Sequence, residues 1–482
     1  MKKLILILTA IFFASCSNNL ESLNENIKDP SSVPGESLFT GAQKNLVDQM
    51  VDLNVNINNT KLWAQYLQET TYTDESNYDQ VGRNVPQRHW RTMYRDILKD
   101  FNESTKVISA TNYALPADQL TKANKLVVIE ILTIYTYSIL VETFGDIPYT
   151  EAIDIDNLLP KYDDGLTVYK DLIVRLSAAI NALDTTNGSF GDTDRIYEGD
   201  TSKWKLFANS LKLRMGILLS DVDNALAKQT VEDAVAGGVF TSSADDATYT
   251  YLSADPNTNP IHDNLILSGR HDFVAGKTII DMMNTLNDPR RPLYFLDVAG
   301  SYIGGEIGST SNYSSHSHVS AMVEAAETEG VIFNYTEVEF LLAEAAARTF
   351  NVGGTAKDHY DAGVMSSIET WGGTTADATT YLAQATVDYD TTLAVSTAAT
   401  PWKEVIGNQK WIALYNRGIE AWTSIRLLDF PTLATPTEAV SGFPNRYTYP
   451  VNEQTLNRTN YQSASTAIGT DTAEQKLFWD MN

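Results

Sequence analysis

The chain has a single cysteine in 482 residues, Cys16, so no disulfide can form within it. Basic residues are scarce. Lys and Arg number 35 against 61 Asp and Glu, a formal net charge of −26. So acidic a surface argues against nucleic acid and anionic lipid head groups as partners, because both would be repelled. Catalytic signatures are missing too: there is no G-x-S-x-G elbow, H-E-x-x-H helix, Walker loop or dinucleotide fingerprint. Of six histidines only His316 and His318 lie close together. Without a spaced carboxylate or a third ligand they make no zinc motif, and no cofactor is implied. A glycosidase-type carboxyl pair stays open as an alternative class, although no acid stands in a context that marks it.

What is present begins with the position of that cysteine. Lys2 and Lys3 precede an apolar run, Leu4 to Phe13, and then Ala14, Ser15 and Cys16. A charged start, an apolar core and small residues before a cysteine resemble a bacterial lipoprotein signal, in which the cysteine is lipidated and becomes the new N-terminus. Residues 1–15 read as the leader and 16–36 as the lipidated cysteine and a polar tether rich in Pro, Ser and Asn. The body is 37–482, and the whole chain, with 43% hydrophobic and 10% aromatic residues, has a globular composition. Its length exceeds the roughly 250–300 residues one core supports, so a stacked architecture is expected.

The rest of the body is organised around Lys125 to Ala152. Leu126, Val127, Ile129, Leu132, Tyr135, Ile139 and Leu140 make its first half apolar on nearly every side, the pattern of a helix buried all round. Gly145 is a candidate C-terminal cap, and Asp146-Ile147-Pro148 cannot continue a helix. Other helical stripes follow. Trp90, Met93, Tyr94, Ile97 and Phe101 share one face. Thr201 to Leu219 forms another helix with Ser202 as N-cap, and Thr336 to Glu339 fits a capping box. Glu404 to Leu428 reads as one last helix, and helical spacing from Ser37 to Leu67 as the first. Irregular, loop-rich insertions are expected near 68–88, 237–330 and 352–400. The result is an all-α chain of helix pairs, without the self-similarity that would announce repeats.

Folding alone does not explain the aromatic loading of the loops. Tyr72, Tyr78, Tyr302 and Tyr313 lie in polar, turn-rich segments, with Trp63 and Tyr66 at a helix end nearby and Asn77 and Arg83 beside them. Aromatic faces among amides and guanidinium groups suit a sugar, whose CH faces stack on rings while its hydroxyls take polar partners. These eight residues are the candidate ligand site.

Several stretches in order carry a family resemblance. They are Glu142-Thr-Phe-Gly-Asp-Ile-Pro-Tyr-Thr-Glu-Ala152, Trp204 to Arg214, Asn259-Pro-Ile-His262 with Gly269-Arg-His-Asp272, and Asn287-Asp-Pro-Arg290 with Tyr302-Ile-Gly-Gly305. Tyr335 to Ala345, Gln409 to Trp422 and Arg446-Tyr-Thr-Tyr-Pro450 complete the set. Together with the lipoprotein signal they resemble the SusD/RagB family of nutrient-binding outer-membrane lipoproteins, and within it the second SusD-like branch. Ile425-Arg426-Leu427 departs from the family's usual paired arginines. The resemblance implies tetratricopeptide-like helix pairs supporting an irregular binding half, and no enzymatic activity. It also implies a lipid anchor in the outer membrane, facing outward, and a SusC-like TonB-dependent transporter as partner. The ligand would be an oligosaccharide, with a peptide or another nutrient as the alternative. The family's ligand residues vary, so none is carried over.

Overall fold

A computed structural model of the chain describes residues 33–481. Cys16, the leader and residues 17–32 of the tether lie outside the described residues.

Helices dominate, and they stack as pairs. Numbered along the chain, the principal ones are α1 (Gly35–Val51), α2 (Lys99–Ala110), α3 (Pro116–Phe144), α4 (Gly165–Ala182), α5 (Thr201–Leu218) and α6 (Asn224–Gly237). These are followed by α7 (Tyr335–Ala347), α8 (Ala356–Thr370), α9 (Pro401–Ala413) and α10 (Gly418–Leu428). The closest packed partners are α1 with α2, α3 with α4, α5 with α6, α7 with α8 and α9 with α10, a tetratricopeptide-like pairing. Two short antiparallel ladders interrupt the helices. β1 (Leu67–Glu69) pairs with β3 (Phe273–Ala275), and β2 (Ala247–Tyr249) pairs with β4 (Gly330–Phe333).

The largest core wraps α3, whose second half from Val128 to Phe144 is almost wholly buried. A 29-residue helix of this composition could cross a membrane, but here other helices of the same chain cover it. A buried helix end must find donors for its last four carbonyls, and all four are satisfied. The Gly145 N–H, at φ 87°, donates to Val141 O at 2.9 Å. Arg426 Nη1 donates to Glu142 O at 2.9 Å, the Tyr447 N–H to Thr143 O at 2.8 Å, and Arg446 Nη2 to Phe144 O at 3.0 Å. Two guanidinium cations thus sit at the negative end of the helix dipole. Arg426 lies between the Trp422 and Trp479 rings, 3.6 and 4.6 Å from their centroids, and burial lowers its pKa to about 9. The single arginine in the Ile425-Arg426-Leu427 departure is therefore fully used.

Several local expectations are corrected. The stretch 37–67 is not one helix: α1 ends at Val51, and Thr60–Trp63 forms a separate turn of helix before β1. The stretch 404–428 divides into α9 and α10 around Asn416, at φ 67°. The entry to α10 must be glycine, since a Cβ on Gly418 would sit 2.5 Å from Thr60 Oγ1 and 2.7 Å from the Lys61 nitrogen. The N-cap of α5 is Asp200, which accepts from the Ser202 and Lys203 amides at 2.8 and 3.2 Å, and that of α7 is Asn334. The region 352–400 is more regular than a loop-rich insertion. It holds α8, Thr375–Leu382 and Tyr389–Val395, the first two opened by Thr–Asp capping boxes.

Candidate functional site

The β1–β3 ladder is where distant loops meet. Leu67 faces Ala275 and Glu69 faces Phe273. Beyond the ladder the Thr70 N–H donates to Asp272 O at 2.8 Å, and the Thr70 hydroxyl to His271 O at 2.8 Å. On the far side Ser311 N–H donates to Thr70 O at 3.0 Å, and Gly305 N–H to Ala275 O at 2.8 Å. Three irregular segments, 67–72, 270–276 and 303–317, therefore lie side by side. Between the first two of them, Arg83 and the 54–56 and 264–268 segments opens a cleft of about 210 Å³.

Tyr72 is the conspicuous residue of that cleft. Its side chain is 69% exposed, the backbone held at φ 55°. A tyrosine held in the left-handed region costs about 1–2 kcal/mol. Tyr78 and Asn84 in the same loop share that conformation, at φ 68° and 54°. The loop is fastened from below. Asn77 Nδ2 donates to Gly308 O at 2.8 Å, and the Val440 N–H to Asn77 O at 2.9 Å. Other cleft walls are polar and neutral: Asn54, Asn56, Asn264, Ser268 and Thr71. The charged walls are Glu69, Arg83, Arg270 and Asp272, each engaged by a neighbour; Glu69 Oε2 accepts the Ser76 N–H at 3.0 Å. Arg270 Nε is 2.5 Å from Asp272 Oδ2, and Arg83 Nε is 2.5 Å from Glu75 Oε1. The cleft therefore offers one exposed ring among amides and hydroxyls, which suits an uncharged polyhydroxylated ligand.

Of the eight residues singled out in the sequence, Tyr72 and Arg83 line this cleft. Tyr313 belongs to the adjoining 303–317 segment, its ring sandwiched between His271 and His318 at centroid distances of 4.2 and 4.4 Å. Tyr302 lies under the Arg291 guanidinium, 4.6 Å away, and does not line the cleft. The other four are core or fastening residues. Trp63 is fully buried, edge-on to Trp422 at 5.0 Å and tilted against Tyr447 at 5.2 Å. Tyr66 is fully buried, stacked on Trp411 at 5.2 Å with its hydroxyl donating to Trp411 O. Tyr78 packs edge-on to Phe443 at 5.9 Å, and its hydroxyl accepts from Gln65. Asn77 spends its amide on the loop itself. None of these four offers a free face to a ligand.

Pattern reading missed Asn54, Asn56, Asn264, Ser268, Arg270, His271 and Asp272. The stretch Gly269-Arg-His-Asp272 lies in the region 237–330 that the sequence marks as loop-rich, and it also carries part of the family resemblance. The usable signal was its turn chemistry: Gly269 adopts φ 65° and puts three polar residues in a row at the start of β3.

Two larger cavities, each of about 670 Å³, lie elsewhere. One is lined by Thr278, Met282, Thr392, Glu404 and Gln409 among others, and its single ring, Tyr360, is buried. The second, beside Tyr197 and Tyr335, also has the cation Lys203 and the acids Asp246, Glu329 and Glu369 on its walls. Neither presents an exposed ring on neutral polar walls. Among the described residues, no group of three or more His, Cys, Asp or Glu side chains could hold a metal. The acids that line the cleft are Glu69, held to the Ser76 N–H, and Asp272, paired with Arg270, whereas a glycosidase needs two carboxyls free to flank the bond they cleave, about 5–10 Å apart.

Comparison with known proteins agrees with this architecture. A family model described as SusD-like, starch-binding and associating with the outer membrane, matches residues 27–450. Among solved structures, a chitin-binding protein is 26% identical with TM-score 0.79, over 93% of this chain and 100% of the other. A SusD homolog from Bacteroides uniformis is 25% identical with TM-score 0.77, over 92% and 99%. A chitin-binding SusD homolog from Flavobacterium johnsoniae, 24% identical with TM-score 0.78 over 92% and 99%, shares the fold. No curated protein matches. Members of this family are binding proteins and not enzymes. With the match spanning nearly the whole body, the helix pairs are those of a SusD-like protein, and the chain belongs to that family.

Proposed function

We propose that the chain is a surface-exposed oligosaccharide-binding lipoprotein that caps a SusC-like TonB-dependent outer-membrane transporter and hands its ligand over for import. The observation that carries the reading is the cleft at Tyr72: an exposed ring on a strained, fastened loop, with amides and hydroxyls around it and each charged group engaged by a neighbour. Rings held in place at rest bind sugars without a large ordering cost. The family's description as starch-binding and the chitin-binding protein at 26% identity support a glycan. Lipidation would be at Cys16, outward-facing in the outer membrane, and the peptide alternative has no observation in its favour.

The test is calorimetric titration of residues 17–482 against plant, host and microbial oligosaccharides, chito-oligosaccharides included, with product release followed in parallel. Saturable binding without turnover is expected. Turnover would refute the binding-protein reading, and silence on every glycan alongside binding of peptides would replace the ligand class. Cys16→Ala is expected to move the protein from the membrane fraction to the soluble one.

A further inference from the structure

Beneath Tyr72 lies an arrangement that ordinary packing does not require. Glu69, the last residue of β1, and Glu75, in the loop that carries Tyr72, are both buried, with their carboxyl groups side by side where Glu69 reaches the backbone of Ser76. Glu69 Oε2 accepts the Ser76 N–H at 3.0 Å. Glu75 Oε1 is held by Arg83, while Glu75 Oε2 is buried with no N–H or O–H donor. Two carboxylates in contact away from water repel strongly unless something positive lies between them.

The charged groups around the pair do not supply it. Arg83 is committed to the other oxygen of Glu75. From the β3 side come Arg270 and Asp272, which neutralise each other at 2.5 Å. The 54–56 and 264–268 turns present Asn54, Asn56, Asn264 and Ser268, all uncharged, and Asn264 is turned toward Asp52 Oδ1 at 2.9 Å. No third acid or histidine stands ready to complete a metal site among the described residues. What fits the gap is a proton.

We propose that Glu69 and Glu75 share one proton, and that this proton latches the Tyr72 loop to β1 in its binding shape. Arg83 and the ionised Glu75 form one side of the latch. The protonated Glu69 forms the other, donating to Glu75 Oε2 and accepting from Ser76. Burial, followed by the neighbouring carboxyl, pushes Glu69 well above the usual carboxylate range, so the latch is closed at neutral pH. The pair is a positioning device for the cleft described above, and its role in ligand capture rests on the proposed function. The latch itself does not, and can be tested without any ligand.

Arg83–Asn84 is a trypsin-cleavable bond inside the loop. Below the pKa of the pair its ionised fraction rises about tenfold per pH unit, and cleavage that requires an open latch should follow. The rate of cutting at Arg83–Asn84 in the intact chain, divided by that at an exposed reference bond, is measured from about pH 7 to about pH 9 by mass spectrometry. In wild type the ratio is expected to climb severalfold or more. In Glu69→Gln, an uncharged stand-in that still donates to Glu75, it should stay flat. Glu75→Gln, which frees Arg83, should raise it at every pH. A flat wild-type profile, or a Glu69→Gln profile that climbs like wild type, would overturn the proposal. So would protection of wild type that depends on added calcium rather than on pH. Failure of every glycan to bind, with these profiles intact, would sink the ligand reading and leave the latch.

Discussion

Two aromatic substitutions made side by side separate the core from the site. Trp63 and Tyr72 are nine residues apart, and both belong to the aromatic cluster that the sequence marks as a ligand site. The first is fully buried against Trp422 and Tyr447; the second has 69% of its surface in solvent. Truncating a fully buried tryptophan removes its transfer energy and leaves a cavity, so Trp63→Ala should cost about 3–5 kcal/mol of folding stability. Tyr72→Ala removes no core contact and relieves no packing, so stability should move by no more than about 0.5 kcal/mol. Affinity should behave in the opposite way. A ring stacked on a sugar contributes about 0.5–1.5 kcal/mol beyond its area, so Tyr72→Ala should weaken binding by about two- to tenfold. Chemical denaturation midpoints and calorimetric affinities on the same two variants decide the matter. A Trp63→Ala protein of unchanged stability that fails to bind would refute the reasoning, as would a Tyr72→Ala protein with wild-type affinity.

Replacing Arg426 with Met keeps the bulk between Trp422 and Trp479 but strands the carbonyls of Glu142 and Asn445. At about 1–3 kcal/mol per orphaned buried acceptor, the denaturation midpoint should fall clearly, and an unchanged midpoint would mean that water replaces the guanidinium. Burial pushes the Asp146 carboxyl, which accepts the Gly165 N–H at 2.8 Å, up to about 6 from its ordinary 3.8. The folded chain therefore binds this proton more tightly than the unfolded chain. Its contribution to stability is complete below about pH 4 and is lost as pH rises through about 6. Asp146→Asn should flatten that window in pH-dependent unfolding, and a variant profile that still slopes like wild type would exclude the assignment.

Periodicity revealed the elements whose causes are local. The all-round apolar face of 125–140 and the Gly145 stop are read directly from spacing, and the structure has both; the stripe through Trp90 to Phe101 is helical too, but residues 92–98 wind as a π-helix between two α-helical segments rather than with α spacing throughout. Of the residues that the sequence singles out for a ligand, Tyr72 and Arg83 line the cleft. What the sequence hid depends on contacts hundreds of residues apart. Arg446 caps a helix end 302 positions earlier, and Tyr66 donates to Trp411, 345 positions later. No window of sequence distinguishes a loop tyrosine that lies open from one, like Tyr78, that turns inward through a left-handed backbone. The division of 404–428 was hidden for a similar reason: Gly418 is required by Thr60 and Lys61, residues of the opposite end of the chain. Such positions answer to tertiary crowding rather than to propensity.

The end of the central helix carries one more consequence, for the order in which the molecule can come into being. Three of the four donors that finish α3 come from residues 426, 446 and 447, synthesised long after the helix itself. A polypeptide emerging N-terminus first has its long central helix made early and its closure delivered late. Until then the helix has an unsealed end, and the surrounding pairs have no completed spine to lock against. The clasp that seals the spine is therefore among the later events of folding, and a chain still short of it remains slack around its own core.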